Sequence, residues 1–308
     1  MIQLQDTFNC ATVEFMNAAG LRANYLPVTT HSVSSPSAPG SDSLPVQVNL
    51  YGIPTYLADS MQFLLEYTCR FHPGGVYYVQ PSFRGESPDQ RHLSQFFHAE
   101  AEIAGTLDDV MSLIERYVRH LAAAFLARAD RRLLKHPGKL EAVCGEVAGF
   151  DRITLEEATK CLAGSSGAVK RSKYGVTITA AGERELLHRR DGKPVWLVAQ
   201  DARMVPFYQA RCETMPSRTK TADLLMGIGE TVGAGERHHS AEDLRAAMRE
   251  QGVGEERYGW YIDMKADYPL RTSGFGMGVE RFLMWITGGD DIRDYEIVAR
   301  ANGRYLVP

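Results

Sequence analysis

The segment PSFRGESPDQRHLSQFFHAEAE, residues 81–102, places arginine, histidine and phenylalanine where a hairpin would bring them around one pocket. The pattern predicts a strand, a turn over residues 87–90, and a return strand. The planar guanidinium group of arginine suits phosphate oxygens, and an aromatic face suits a purine base. The side chains that could share this pocket are Arg84, Glu86, Arg91, His92 and Phe96. The segment therefore favours a nucleotide site, and a surface hairpin held by ion pairs is the alternative.

Glycines alternate in GFGMGVER, residues 274–281, directly before Glu280 and Arg281. The spacing differs from the dinucleotide-binding GxGxxG pattern and from a phosphate-binding loop that ends in GK followed by Ser or Thr. Alternate glycines are typical of a strand against which a flat ligand or another backbone lies closely. We therefore expect a ligand-facing strand here, with tight packing or a turn as the alternative.

Two carboxylates, Asp223 and Glu230, flank a predicted turn in DLLMGIGETVGAGER, residues 223–237. Their oxygen atoms could hold Mg²⁺ while phosphates and water fill its other coordination positions. Arg237, at the end of the segment, could pair with a carboxylate or amide oxygen of a substrate. The alternative is an exposed loop crossed by salt bridges.

The hydrophobic periodicity of the chain predicts a mixed α and β domain that would position these segments. Predicted helices cover residues 6–19, 57–70 and 107–134, and the segment around residues 150–162 predicts a short helix capped at Thr154. Predicted strands cover residues 46–53, 75–83, 93–103, 195–199 and 206–213. Residues 29–43 are rich in Ser, Pro and Gly, which predicts a mobile loop able to close over a site.

The overall composition limits the class of protein. The 308 residues are 44% hydrophobic and 23% charged, as in soluble globular proteins. The net charge of −4 argues against a surface built mainly to neutralise phosphates. The sequence shows no secretory signal and no run of about 18 apolar residues, so we expect a cytoplasmic protein without membrane contact. The five cysteines form no CxxC pair, which argues against a zinc site.

Together, the three segments resemble the catalytic core of class II aminoacyl-tRNA synthetases of the aspartyl and asparaginyl subclass, in that family's order along the chain. FMNAAGLRANYLPV resembles motif 1 (near residues 11–28), FRGE with RHL and QFF resembles motif 2 (77–102), and GFGMGVERFLMW resembles motif 3 (273–288). The stretches GETVGAGER, YGWYIDM and DDIRD are also similar to this subclass. The resemblance implies one α+β catalytic domain over residues 1–308, an antiparallel sheet flanked by helices, and a homodimer that meets at motif 1.

The resemblance also implies ATP and Mg²⁺ as cofactors and gives roles by position. Arg84 would contact the α-phosphate and Arg281 the γ-phosphate, so these two arginines are the expected catalytic residues. Phe96 would stack on adenine, and Asp223 with Glu230 would hold Mg²⁺. The full set of expected ATP-binding residues is Arg84, Glu86, Arg91, His92, Phe96, Glu230, Gly278 and Arg281. Attack of a carboxylate on the α-phosphorus needs stabilised charge and aligned reactants, so no general base is expected for adenylation.

The segment SMQFLLE, residues 60–66, resembles the part of the family that grips the amino acid. Aspartate-activating relatives have a lysine three residues after the glutamine, where this chain has Leu65 followed by Glu66. Glu66 could accept hydrogen bonds from an amide, which favours asparagine. Arg271, in a stretch where relatives have Pro-His, adds a cation that could restore a preference for an acidic substrate. The expected substrate-binding residues are Ser60, Gln62, Glu66, Arg237 and Arg271.

The sequence starts almost directly at motif 1, without the anticodon-binding barrel domain of complete synthetases in this subclass. A similar truncated core is known as an archaeal asparagine synthetase, which adenylates aspartate and passes it to ammonia. The favoured hypothesis is therefore an amino-acid ligase whose acceptor is ammonia, an amine or a carrier thiol. The first alternative is a minimal synthetase that charges tRNA. The second is a non-catalytic paralogue that senses an amino acid or nucleotide, although a pure binding protein could dispense with the phosphate and metal ligands.

Overall fold

The computed structural model describes residues 1–39, 41 and 43–300. Within them, the helices are α1 Ile2–Ala18, α2 Gln62–Cys69, α3 Leu107–Arg128, α4 Pro137–Gly145, α5 Leu155–Cys161, α6 Ala180–His188, α7 Ala241–Gln251, α8 Gly259–Asp267 and α9 Val279–Thr287. The strands are β1 Arg22–Ala23, β2 Thr29–Thr30, β3 Val46–Leu50, β4 Ile53–Leu57, β5 Val76–Phe83, β6 Gln95–Ala104, β7 Asp151–Thr154, β8 Val169–Ser172, β9 Gly175–Ile178, β10 Val195–Val198, β11 Thr221–Met226, β12 Gly229–Glu236 and β13 Thr272–Gly278. Residues 301–308, included in the expected domain, lie outside the described residues.

An eight-stranded sheet, in the order β1-β5-β6-β13-β12-β11-β10-β7, forms the centre of the fold. The edge pairs β1–β5 and β10–β7 are parallel, and the pairs between them are antiparallel. Helices α1, α3 and α9 share one hydrophobic core with the sheet, in which Phe8, Tyr117 and Phe282 are fully buried. The predicted α+β fold, an antiparallel sheet flanked by helices, is therefore confirmed.

Helix α3 shows how the sequence specifies this scaffold. It begins at a capping box in which Thr106 and Asp109 satisfy each other's backbone N–H groups. Its apolar residues at three- and four-residue spacing form one stripe, and Ile114 and Leu121 in that stripe are fully buried. The helix ends at Arg128, earlier than predicted, because Ala129 has an extended backbone.

In the described part of the chain, no helix is long and apolar enough to cross a membrane.

Two other predicted elements differ from the structure. The strand predicted over residues 46–53 is a hairpin of β3 and β4, whose turn places Tyr51 and Gly52 at φ angles of 51° and 86°. Residues 206–213, predicted as a strand, form a loop with single bridges from Gln209 to Arg237 and from Arg211 to Thr219. The apolar residues of that loop are buried against α7 and α8 instead of within the sheet.

The loop predicted over residues 29–43 is anchored where the structure describes it; residues 40 and 42 lie outside the described residues. The buried carboxylate of Asp59 accepts hydrogen bonds from Ser34 Oγ at 2.7 Å and from the backbone N–H groups of Ser34 and Ser35. Tyr258 donates a further bond to the carbonyl of Val33. The loop therefore covers one side of the cavity described next, and its mobility stays a prediction.

Candidate active site

A cavity of about 680 Å³ lies on the face of the sheet opposite the helical core. Strand β6 shows why, since Ala99 and Ala101 are buried in that core and successive side chains of a strand point to opposite faces. His98, Glu100 and Glu102 therefore face the other way. A smaller cavity of about 120 Å³ adjoins the first and shares Arg84, Glu86, His92, His98 and Glu230 with it, among other residues.

The alternate glycines of β13 make room for carboxylates of the neighbouring strand. Gly274 lies opposite Glu102, and Gly276 lies opposite Glu100. A Cβ atom on Gly276 would lie 2.9 Å from Glu100 Oε1, and one on Gly274 would collide with Glu102 Oε2. The groups that approach this strand closely are therefore the side chains of the neighbouring strand. The absence of side chains at Gly274 and Gly276 leaves space for the carboxylates of Glu102 and Glu100 beside the cavity.

Three arginines converge at the smaller cavity. The guanidinium carbon of Arg84 lies 5.5 Å from the centre of the Phe96 ring, and Arg281 donates to the carbonyl of Glu230 at 2.7 Å. The Nε atoms of Arg84 and Arg91 are buried and have no hydrogen-bond partner among the described residues. Burial and the charges of Arg91 and Arg84 lower the pKa of Arg281. Unpaired buried donors and mutual repulsion both favour binding of a polyanion such as a triphosphate.

The other residues expected to bind ATP line the same space. Glu86 accepts a hydrogen bond from the backbone of Leu44 at 3.3 Å, so it joins the covering loop to the cavity. His92 lies 2.8 Å from Asp89, and Gly278 lies opposite His98 at the end of β13. The structure therefore brings together every residue expected at the nucleotide end: Arg84, Glu86, Arg91, His92, Phe96, Glu230, Gly278 and Arg281.

The carboxylates of Asp223 and Glu230, the expected metal ligands, both lie near Gly233. A Cβ atom on Gly233 would lie 3.2 Å from Glu230 Oε1 and 3.8 Å from Asp223 Oδ1. Burial, then repulsion from Glu230 and Glu183, raises the pKa of Asp223 well above its usual value. The described residues contain no group of three or more side chains arranged as a complete metal centre. The pair fits Mg²⁺, which usually takes one or two carboxylates and completes its shell with phosphates and water.

Glu183 is a member of this site that the sequence motifs do not reveal. Its carboxylate accepts hydrogen bonds from Arg91 Nη2 at 2.7 Å and from the backbone N–H of Glu230 at 3.1 Å. It lies on α6, 92 residues after Arg91, in a helix without a recognisable pattern. Only the tertiary fold places this third carboxylate beside the arginines of the smaller cavity.

Ser60, Gln62 and Arg237 line the other end of the large cavity, as expected for the amino acid. Arg237 is held by Glu102 through two hydrogen bonds of 3.1 and 2.9 Å, and both side chains are buried. Its Nη1 also donates to Gln209 Oε1 at 3.0 Å. The charge of Arg237 is therefore largely compensated before any ligand binds.

The structure differs from the prediction for Glu66. Its buried carboxylate pairs with Lys265 Nζ at 2.5 Å, accepts a bond from Tyr261, and lies 3.4 Å from Arg70. It does not line the cavity. Glu66 lies one helical turn after Gln62 on α2, and this places it beneath the cavity. A carboxylate buried there requires a cation beside it. Glu66 is therefore a structural ion-pair partner.

Arg271 is also misplaced by the sequence argument. Its exposed side chain lies 3.7 Å from Glu236 and faces a separate cavity of about 370 Å³. Glu236 and Arg237 are consecutive, so their side chains leave the backbone on opposite faces. Because Arg237 points into the site, Glu236 points away from it. Arg271 lies beside Glu236 and is therefore also outside the site. Arg271 therefore supplies no charge to the pocket.

Glu100 lines the end of the large cavity that is expected to hold the amino acid, and the sequence motifs did not predict it. It accepts hydrogen bonds from Ser60 Oγ at 2.6 Å and from Tyr78, and it lies 3.1 Å from His98 Nδ1. Burial alone would raise its pKa, but the bonds from His98, Ser60 and Tyr78 outweigh burial and lower it. The alternation HAEAE was the available signal, since it puts three titratable side chains on one face of β6.

Comparisons with known proteins agree with this geometry. A profile of the family described as tRNA synthetases class II (D, K and N) matches residues 1–300. The asparagine–tRNA ligase of Thermoplasma acidophilum is 31% identical, over 88% of this chain and 62% of the relative. The cytoplasmic asparagine–tRNA ligase of Saccharomyces cerevisiae is 32% identical, over 84% of this chain and 47% of the relative.

A solved structure is similar over almost the whole fold. Asparaginyl-tRNA synthetase from Pyrococcus horikoshii, complexed with asparaginyl-adenylate, matches with a TM-score of 0.90 and 25% identity, over 99% of this chain and 69% of that one. The chain spans 62% and 47% of the lengths of the two relatives named above. Because the family profile covers residues 1–300, the chain belongs to the class II tRNA synthetase family that contains the aspartate, lysine and asparagine members.

Proposed function

We propose that this protein activates an amino acid with ATP to form an aminoacyl adenylate and pyrophosphate. The observation that carries the proposal is that one continuous site has two chemically different ends. Arg84, Arg91 and Arg281 surround one end, and Ser60 and Glu100 mark the other. An adenylate has the same order, with a nucleotide at one end and an ammonium group at the other. The asparaginyl-adenylate named in the P. horikoshii complex supports this orientation.

The side chains suit an in-line displacement at the α-phosphorus. The amino acid's carboxylate oxygen forms the new bond to phosphorus while the bond to pyrophosphate breaks. Arg84 would stabilise negative charge on the α-phosphate, and Arg281 would hold the departing phosphates. Mg²⁺ bound by Asp223 and Glu230 would add positive charge next to the phosphates. The attacking carboxylate carries no proton, so this step needs no general base.

Asparagine is the substrate that this pocket favours. Glu100 would bind the ammonium group together with Ser60 and Gln62. At the side-chain end, Glu102 already compensates Arg237, so a neutral amide can accept a hydrogen bond without leaving a buried charge unpaired. Aspartate would bring a second carboxylate next to Glu102. Aspartate or a close analogue is therefore the weaker candidate.

For the acceptor, the relatives favour tRNA over ammonia, an amine or a carrier thiol, which reverses the order expected from the sequence. Both relatives are named as asparagine–tRNA ligases, and the S. cerevisiae protein is named as cytoplasmic. We therefore propose tRNA as the acceptor and the cytoplasm as the location. The third hypothesis, a non-catalytic sensor, is disfavoured because the buried arginines and paired carboxylates suit a reacting triphosphate better than simple recognition.

Exchange of labelled pyrophosphate into ATP tests the activation step with each standard amino acid. We expect exchange with asparagine and weaker exchange with aspartate, because the side-chain end of the pocket is already charge-compensated. Absence of exchange with all standard amino acids would contradict the proposal. A product analysis with ATP, Mg²⁺ and asparagine, supplied with either asparagine tRNA or ammonia, then identifies the acceptor. Formation of product with ammonia but not with asparagine tRNA would rule out tRNA as the acceptor.

We also propose that the chain forms a homodimer through the motif 1 region. Large apolar side chains are exposed after β1 and at the tip of the β3–β4 hairpin: Tyr25, Val28, Leu50, Tyr51 and Ile53. A dimer interface at this surface would remove them from water. Sedimentation velocity at micromolar concentration should show a dimer, and Tyr25→Glu should shift it to monomer. The control Val147→Glu changes an equally exposed apolar residue elsewhere and should leave the dimer intact. A wild-type monomer would contradict this proposal.

A further inference from the structure

His98 lies at the centre of the candidate active site and has no role in the adenylation step. It stands on β6 between Phe96 and Glu100, on the same face of the strand. Its side chain is 13% exposed, and it lines both the large cavity and the smaller one. The residue opposite it on β13 is Gly278, so no side chain of that strand covers the imidazole. A ligand that fills both cavities would pass over His98.

The contacts of His98 favour Nε2 as the ring nitrogen that acts as a base. Nδ1 lies 3.1 Å from Glu100 Oε1 and 2.9 Å from Ser82 Oγ. An ionised carboxylate can only accept, so Glu100 favours the tautomer in which Nδ1 carries the proton. In the neutral ring, Nε2 is then an acceptor with a free lone pair. Within the residues that the structure describes, the polar contacts of the ring, to Ser82 and Glu100, are both made by Nδ1.

The strand itself gives the position of the reacting bond, and this step rests on the proposed function. A strand rises by about 3.3 Å per residue, so Phe96 and Glu100 stand about 13 Å apart. Adenine stacked on Phe96 and an ammonium group bound at Glu100 would place the two ends of the adenylate at these positions. The bond that joins the carboxyl group to the phosphate would then lie between them, near His98.

We propose that His98 is the general base of the transfer step that follows adenylation. The acceptor's oxygen or nitrogen forms a bond to the carbonyl carbon of the adenylate, and the acceptor's proton moves to Nε2. The bond between that carbon and the phosphate oxygen breaks, and AMP leaves with the electron pair. Glu100 holds the imidazole in the required tautomer and stabilises the imidazolium that forms, as the carboxylate of a catalytic triad does. The acceptor is neutral before attack and must lose a proton, unlike the carboxylate of the first step.

The test separates the two half-reactions in His98→Gln. Pyrophosphate exchange should stay within about tenfold of wild type, whereas single-turnover transfer from preformed adenylate should slow by about 10²–10⁴-fold, the usual contribution of a positioned base. The acceptor in this assay is asparagine tRNA, the acceptor proposed above. Hydroxylamine, which is uncharged at neutral pH and reacts without a base, should give hydroxamate at similar rates with both proteins.

Two comparisons keep this result interpretable. His136→Gln changes an exposed histidine outside the cavities and should leave both half-reactions unchanged. His98→Asn serves as a second variant if His98→Gln does not fold, as judged by its thermal unfolding. Equal losses in exchange, transfer and hydroxamate formation would mean that His98 only positions the ligand, and unaltered transfer would also overturn the proposal. Failure of exchange in the wild-type protein would instead refute the proposed activation step.

Discussion

Replacing Arg84 with alanine is expected to reduce asparagine-dependent pyrophosphate exchange by about 10³-fold. Loss of one donor to a developing oxyanion typically costs 10²–10³-fold, and loss of an arginine that stabilises a phosphoryl transition state costs 10³–10⁵-fold. In the proposed orientation Arg84 would have both roles, and its guanidinium group beside Phe96, with a buried Nε that has no partner among the described residues, is placed for them. Arg281→Ala should cause a loss of similar size from the opposite side of the phosphates.

The control for this result is an arginine in a partly buried ion pair outside the site. Arg211 pairs with Glu250 at 2.8 Å and lines a different cavity, so Arg211→Ala should leave exchange within about twofold. Arg84→Lys keeps the charge but loses the planar fork, and we expect it to recover only part of the activity. Exchange at the wild-type rate in Arg84→Ala would show that the nucleotide binds elsewhere or in another orientation.

The grouping of the residues expected to bind the nucleotide could be predicted from the sequence because local structure assembles most of it. Arg84, Glu86, Arg91 and Phe96 lie on one hairpin, and a hairpin brings its two strands together whatever the rest of the fold does. The motif 3 residues join them because β13 pairs directly with β6. Glu183 escaped prediction because its helix reaches the site only through tertiary packing.

The amino-acid end was less predictable because side-chain direction and burial decide it. Glu66 is four residues after Gln62, and sequence spacing alone does not tell which of them reaches a cavity above the helix. Arg271 comes just before the motif 3 segment in the sequence. Its side chain nevertheless lies beside Glu236, on the opposite face of the sheet. In each case, a charged residue was assigned to the ligand although a buried or neighbouring partner of opposite charge already satisfied it.

The fold shows the same division between local and tertiary causes. The long amphipathic helix was predicted because its apolar residues recur at three- and four-residue spacing, and strand β13 was predicted because its glycines alternate. The loop over residues 206–213 was predicted as a strand since Phe207 and Tyr208 read as sheet residues. They are buried instead beneath α7 and α8, a cluster that no local pattern in the loop reveals.

Replacing Lys265 with methionine is expected to destabilise the protein by about 3 kcal/mol, although Lys265 touches neither cavity of the site. The change leaves the buried carboxylate of Glu66 without its nearest cation, and breaking a buried ion pair from one side costs about 3–5 kcal/mol. We expect the lower end of that range because Arg70 stays 3.4 Å from Glu66. Equilibrium denaturation with urea measures the loss, provided that unfolding is two-state.

The matched variants separate loss of the ion pair from loss of packing. Lys160→Met removes one partner of an exposed pair with Glu156 and should change stability by less than about 0.5 kcal/mol. The double variant Glu66→Gln with Lys265→Met removes both buried charges and should recover most of the loss, since the penalty comes from the unpaired carboxylate. If the double variant is as unstable as Lys265→Met, packing around the lysine stem would be the cause. If Glu66→Gln alone abolishes asparagine discrimination while stability is kept, Glu66 would act on the substrate after all.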